Sequence, residues 1–479
     1  MTMVFGGQRM GKAGPNRASA SVRGPDAMRR VLLALAVAAL PLPTQAAETN
    51  VELNRAWAAG YRAAFTCSSL WNGAGKTLAD IERDELTHIY PEIEADVRAT
   101  RAEIDTKAKR VTVRYRDDMP PRVAEWTGRD GCVTLPIGAE PGAARALSHD
   151  PWPNLDAQPW PLGDRDARAA DGAARFATVA ADAAGRARFG GRTSSLLIVK
   201  DGRIAVEWYQ PGHGPHTAQR TFSVAKSIAA TLIGHAVARG RFDVKAPAGI
   251  AEWRTAGDPR ATITTEQLLR MASGLTSDSA GNRTDAIYMG GAAVRQWTTQ
   301  WPLLNPPGTR YRYANNDTLL AVLSLKAALE RAGEPFDPAA FLDRIGMTRT
   351  FIERDKDGDA ILSSQVSTTA RDLARLGLLY QDDGMWQGER LLPADWRRFV
   401  TARAGPQPDG PFGYGTGFWL LDASEGIPAD AFGAFGNRGQ YMVVIPSRRL
   451  VIVRQGYDDA AERLDIAALV RAVVAAEGS

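Results

Sequence analysis

Hydrophobic positions along the 479 residues change their period several times, and each change predicts an element. A helical repeat runs through residues 51–70 and 78–99, after which Arg110-Val-Thr-Val-Arg-Tyr115 alternates as an edge or half-buried strand does. Another helical stretch covers 176–184. Residues 194–199 and 204–209 then flank Asp201-Gly202, a dipeptide suited to a tight hairpin turn. Residues 440–445 and 450–454 repeat that arrangement around Pro446-Ser447, and a last amphipathic helix is expected over about 460–476. Hairpins near both ends with helices between them predict one antiparallel sheet built from distant segments, carrying a helical insertion from about 240 to 400.

One predicted helix differs in kind. Residues 226–237, Lys-Ser-Ile-Ala-Ala-Thr-Leu-Ile-Gly-His-Ala-Val, are apolar nearly all round and belong in the interior, yet the run begins with a lysine. Ser223 lies three residues earlier, a helical spacing that brings Cβ atoms to roughly 5–6 Å. Burial weakens a lysine's hold on its proton, and a serine becomes a nucleophile when a neighbouring base takes its own. Ser223 and Lys226 are therefore a candidate catalytic pair, with Thr221 expected to cap the first turn and Ser223 beside the positive end of the helix dipole. Ser-x-x-Lys also arises by chance about once in a few hundred residues, so partners elsewhere must support it.

Composition narrows the setting. With 44% hydrophobic and 23% charged residues the chain has a globular balance, which excludes a fibrous or largely disordered protein. Met28-Arg-Arg, a ten-residue apolar core ending at Leu40 and small residues up to Ala47 read as an export signal cleaved after Ala46, with Met28 the expected start. That core is too short for a bilayer span of roughly 20 residues, and no cysteine near the cleavage site offers a lipid anchor. No stable membrane anchor is expected after cleavage. The formal charge of +4 comes from this segment: residues 1–46 carry six Lys/Arg and one Asp, and without them the chain stands at −1. A near-neutral exported protein lacks the footprint of a nucleic-acid binder. Cys67 and Cys132 lie beyond the signal, where thiols oxidise, and are read as one disulfide, two buried thiols being the other possibility. The expected organisation is a signal at 1–46, an N-terminal disulfide-containing unit and Pro/Gly/Asp-rich linker at 47–165, and the main domain at 166–479.

Candidate partners for the pair follow downstream. Tyr313 and Asn315, in Asn305-Pro-Pro-Gly-Thr-Arg-Tyr-Arg-Tyr-Ala-Asn-Asn-Asp317, share a face of an extended stretch and offer a phenol and a carboxamide. Phe435-Gly-Asn-Arg-Gly-Gln440 puts glycines before a strand, where a substrate approaches the backbone closely, and the N–H groups of Ser223 and Gln440 are candidate oxyanion donors. The five histidines form neither His-Glu-x-x-His nor part of a Gly-x-Ser-x-Gly elbow, so a Ser-His-Asp triad is not expected. His235 is read as a packed histidine, and Asp355-Lys-Asp-Gly-Asp359 as a surface turn, since it lacks the spacing and terminal Glu of a calcium loop.

Ser223-x-x-Lys226, Tyr313-Ala-Asn315 and the glycine-containing strand, in that order, resemble the serine hydrolases of the class C β-lactamase and penicillin-binding-protein-like family. Thr264-Thr-Glu-Gln-Leu-Leu-Arg-Met-Ala-Ser-Gly-Leu275 and Thr369-Ala-Arg-Asp-Leu-Ala-Arg-Leu-Gly377 extend the likeness over about 166–479, nearest to the branch containing 6-aminohexanoate-dimer hydrolase. The resemblance implies an α+β, β-lactamase/transpeptidase-like fold: an antiparallel sheet flanked by helices, a helical lobe, and here a small N-terminal α/β extension. It implies Ser223 as nucleophile, Lys226 and Tyr313 as the proton-moving pair, Asn315 as their orienting residue, and no metal or cofactor. The third motif departs from the family. Where Lys or His, one residue and Gly are usual, this chain has Asn437-Arg438-Gly439, so these three are the expected substrate-binding residues, with Arg438 either holding a substrate carboxylate or facing solvent.

Two functions follow. The first is an exported, periplasmic or secreted hydrolase of a small ester or amide. The alternative is a slowly catalytic or non-catalytic ligand sensor of the same fold, or a true β-lactamase or D-Ala-D-Ala peptidase.

Overall fold

The computed structural model describes residues 45–73, 76–144, 153–168, 173–276 and 284–478. The expected export signal lies outside them except for its last two residues, as does Trp152 of the expected linker. Among the described residues no helix is long and apolar enough to cross a membrane.

The main sheet has seven antiparallel strands in the order Gly413–Tyr414, Trp419–Leu420, Phe432–Gly436, Gln440–Ile445, Leu450–Gly456, Thr193–Lys200 and Arg203–Tyr209. Both predicted hairpins are present. At the centre Leu450 pairs with Lys200 and Val453 with Leu197, joining the two ends of the main domain. Alternation then divides the side chains by face: Leu196, Ile198, Val443 and Ile452 pack under helices Ala173–Gly185 and Ile466–Glu477. Leu197, Val199, Met442 and Val451 pack under Val224–Ala238 and Ala370–Gln381. A helical lobe, including Asn315–Arg331 and Pro338–Arg344, fills the space between sheet strands in the sequence. The result is the α+β sheet-and-lobe arrangement expected from the resemblance.

The N-terminal unit has its own antiparallel sheet, Ala102–Asp105, Arg110–Val113, Arg122–Trp126 and Cys132–Thr134 in sequence order. Helix Gln45–Trp71 lies across it, and a Cys67–Cys132 disulfide with a Cα–Cα distance of 6.1 Å ties the helix to the last strand. Ala59, Ala63, Val111, Val113 and Ala124 fill the space around that bond. The same helix turns Ala58, Tyr61, Ala64 and Phe65 the other way, into the main hydrophobic core. The unit is therefore separate in its sheet but continuous with the main domain in its packing.

Two predicted elements are corrected and a third is refined. Residues 78–99 form two helices, Leu78–Asp84 and Pro91–Ala99, because Pro91 opens a helix rather than sitting inside one and His88 before it has φ 55°. The last helix begins at Ile466 rather than near 460: Asp459 accepts the N–H groups of Ala461 and Glu462, Asp458 accepts that of Leu464, and Asp465 then caps by accepting from Ala468. The Asp355–Asp359 turn reaches the surface at Lys356 and Asp357, but its two end carboxylates, Asp355 and Asp359, are buried. The Asp355 carboxylate accepts backbone N–H groups from Val294, Asp357 and Asp359, while Lys326 pairs with Asp359.

Candidate active site

The turn carrying Ser223 is set up by what precedes it. Gln219–Arg220 is a short strand, and Phe222 adopts φ 49°, a left-handed conformation that costs a bulky residue of order 1–3 kcal/mol. Helix Val224–Ala238 starts at once, with Ser223 at its cap position but making no side-chain capping bond. Thr221 does not cap either. Its hydroxyl donates to the Val366 carbonyl at 3.0 Å, across the small sheet formed by Gln219–Arg220, Val366–Thr368 and Phe351–Ile352. The Ser223 hydroxyl is thereby left to Lys226 and Tyr313, and among the described residues no acceptor takes the Ser223 N–H.

Lys226 is 1% exposed. Its Nζ lies 2.5 Å from Asn315 Oδ1, 2.7 Å from the Ser363 carbonyl oxygen and 3.2 Å from Ser223 Oγ. Burial pulls the pKa of this amine down to about 7. The carboxamide and carbonyl oxygens can only accept, so a neutral amine gives them its two hydrogens and turns its lone pair toward the serine hydroxyl.

Tyr313 completes the cluster. Its hydroxyl lies near Ser223 and Trp419, both of which favour its ionised form, and its ring sits 5.1 Å from Lys226 Nζ, wedged against Tyr414 and Trp419. Burial pushes the phenol up to about 12, so it keeps its proton at neutral pH. Asn315, the first residue of helix Asn315–Arg331, also donates from Nδ2 to Thr284 Oγ1 at 3.4 Å. All four residues chosen from the first two motifs meet at one point. Sequence reasoning missed Ser363, whose carbonyl acts regardless of side chain, and Tyr288, whose hydroxyl lies 2.5 Å from Ser363 Oγ. It also missed the left-handed Phe222, since nothing in a hydrophobic pattern marks such a backbone.

The third motif is placed differently. Gly436 is the strand residue against the nucleophile: a carbon added there would fall 2.1 Å from the Thr221 carbonyl oxygen and 3.3 Å from Ser223 N. Gln440 pairs with Gly436 across the hairpin, and its side chain donates to the carbonyls of Arg438 and Gly456. Of the two, Gly436 rather than Gln440 is the residue whose backbone abuts Ser223 N. Arg438 neither faces solvent nor offers its charge to the cleft. It is 5% exposed and donates to the carbonyls of Asp84 at 2.8 Å and Thr87 at 3.0 Å, because its own φ of 56° turns it toward the N-terminal unit. Gly439 is also turned away, its carbonyl accepting from Arg454. Asn437 accepts from Arg463 at 3.3 Å and stays beside the cleft.

The sequence profile described as Beta-lactamase matches residues 139–472. The chain belongs to that family. The match begins upstream of the expected domain start at 166 and leaves out most of the N-terminal unit. Among curated proteins, a 6-aminohexanoate-dimer hydrolase of Paenarthrobacter ureafaciens is 26% identical over 228 residues, covering 44% of this chain and 57% of that protein. The chain thus spans little more than half the length of this relative. A solved structure titled as a putative 6-aminohexanoate-dimer hydrolase from Bacillus anthracis superposes with TM-score 0.51 at 19% identity, over 60% of this chain and 79% of that one. That likeness concerns the fold.

Other polar clusters in this beta-lactamase-family chain are structural. His235 packs on Phe341 with Nδ1 3.0 Å from the Leu391 carbonyl oxygen, as a packed histidine should. Asp156, Asp164 and His216 bring donor atoms within 4.8 Å of one another, yet Arg349 pairs with Asp156, and Arg371 and Arg375 pair with Asp164. Three guanidiniums already neutralise the carboxylates a cation would need.

Proposed function

We propose that this protein is a serine hydrolase that cleaves a small ester or amide through an acyl-enzyme on Ser223. The observation that carries the reading is the buried Lys226, poised to be neutral near pH 7 and in contact with the serine hydroxyl. Ser223 Oγ attacks the substrate carbonyl while its proton passes to Lys226. Tyr313, still protonated, gives its proton to the leaving group and is recharged from Lys226. Water then repeats the sequence on the acyl-enzyme. Asn315 and the Ser363 carbonyl fix the amine, and the Ser223 N–H, with a second N–H from the Phe432–Gly436 strand, receives the oxyanion.

A short linear ester or amide suits this site better than a β-lactam. Arg438 is committed to the N-terminal unit, so a penicillin carboxylate would lack a charge-assisted hydrogen bond worth about 1.5–3 kcal/mol at the usual position. The named activity of the Paenarthrobacter relative, on a 6-aminohexanoate dimer, points the same way. Action after export is part of the proposal and is supported by the disulfide. Fluorophosphonate labelling of wild type and Ser223→Ala, with a panel of p-nitrophenyl esters, linear amides and nitrocefin, tests it. Label on Ser223 with ester or amide turnover is expected; nitrocefin turnover without esterase or amidase activity would reverse the substrate assignment.

A further inference from the structure

A narrow pocket lies beside the nucleophile turn, and four of its eleven lining residues come from the N-terminal unit rather than the family domain. Tyr61, His88, Ile89 and Tyr90 of the N-terminal unit line it together with Phe222, Asn437, Ala460 and the charged residues Arg438, Asp458, Asp459 and Arg463. Its freely open space is about 10 Å³, room for roughly one water. The wall is held firmly in place. Tyr61 donates to the Glu85 carbonyl and meets Tyr90 edge-on at 6.1 Å, Phe65 packs on Phe222 at 6.3 Å, and Arg438 grips the carbonyls of Asp84 and Thr87 at the base of the same loop.

Phe222 is the residue before the nucleophile, and Asn437 follows the Gly436 that abuts Ser223 N, so the pocket adjoins the nucleophile turn through its backbone neighbours. Tyr90 also lies near enough to Tyr288 to disfavour its ionisation, and Tyr288 is one hydrogen bond from Ser363, whose carbonyl holds Lys226. We propose that the N-terminal loop 85–90 is a fixed wall of the substrate site, with Tyr90 as a specificity-determining residue that restricts one substrate arm to a short, unbranched chain. The inference rests on the hydrolase reading and adds the class of substrate. Tyr90 and Ile89 supply the apolar part of the wall, and room for about one water limits the arm to a methyl-sized group, excluding a ring or branch.

The test compares kcat/KM for p-nitrophenyl acetate, butyrate and hexanoate, which vary the acyl arm, with that for methyl to hexyl butyrates, which vary the alcohol arm. Tyr90→Ala should raise the long-to-short ratio in one series by about tenfold or more, the scale of a methylene or two in a pocket. Ala460→Trp, at an exposed position lining the same pocket, should lower the same ratio without depending on removal of a packed ring. Ratios within twofold of wild type for both variants in both series, with Ser223 still labelled by fluorophosphonate, would overturn the wall and leave the hydrolase reading intact. Turnover that survives Ser223→Ala would overturn both.

Discussion

The sheet of the main domain and its junction with the N-terminal unit are both buried, but they are held by different physics. Across the sheet, Leu197, Val199, Val451 and Val453 meet apolar helices, and any one methylene can be lost for a modest cost. At the junction charged and polar groups are buried alongside the apolar face of the N-terminal helix. The Arg220 guanidinium lies 4.0 Å from the Phe65 ring centroid and donates to Ser68, Gln365 and Glu353; Arg438 donates to Asp84 and Thr87; Arg354 pairs with Asp130, and Arg129 with Asp343. A buried charge without its partner costs several kcal/mol, whereas an exposed pair contributes little. Arg220 stands three residues before Ser223 and its partners span both regions, so the N-terminal unit is expected to support the nucleophile turn.

The largest expected effect separates chemistry from support. Lys226→Arg keeps the charge but cannot yield a proton near neutral pH, and should cut turnover by about 10³-fold or more while the melting curve stays cooperative. Wild-type rates in that variant would remove Lys226 from the mechanism. Next in size is Cys67→Ser: opening a 65-residue separation should cost about 4 kcal/mol in the chain-entropy account, read as a fall in the denaturation midpoint. An unchanged midpoint would show that the N-terminal helix is held by its core alone.

Ser68→Ala probes the junction directly. It removes the hydroxyl that accepts from Arg220 at 2.8 Å and donates to Glu353, and should cost about 1–3 kcal/mol in stability while lowering kcat more than it raises KM. A loss in stability with kcat untouched would confine the junction to support. The smallest effect is the pH profile. With the Lys226 amine titrating near 7, kcat/KM should rise about tenfold per unit below that pH and level off above it. The stability term has a defined sign too: between about 7 and the ordinary 10.5 the unfolded chain binds the extra proton, so the cost of burying Lys226 declines as pH rises through that window. A flat rate profile from pH 5 to 8 would contradict a lysine base.

Much of this arrangement was legible from local pattern. Both hairpins, the buried lysine-bearing helix and the disulfide follow from spacing and residue chemistry, and the convergence of Tyr313 and Asn315 on Lys226 from the family resemblance. What stayed hidden depends on where the chain turns. Arg438 reads as a substrate-binding cation until its left-handed backbone aims it at carbonyls more than 350 positions earlier. Gly436 rather than Gln440 touches the nucleophile because the hairpin register decides which glycine faces Thr221. The break at 85–90 follows from Pro91, but only packing reveals that the loop so formed lies against Phe222 and Asn437 and is held by Arg438.

The pairing of Thr193–Lys200 with Leu450–Gly456 also fixes when a newly made chain can first become active. Strands this far apart in sequence close a long loop, a slow step compared with local helix formation. Ser223 and Lys226 leave the ribosome roughly half-way through synthesis, yet the strand that abuts Ser223 and the turn that clasps residues 84 and 87 come only in the last tenth of the chain. Nascent and truncated products therefore carry the nucleophile without the strand and turn that complete its surroundings.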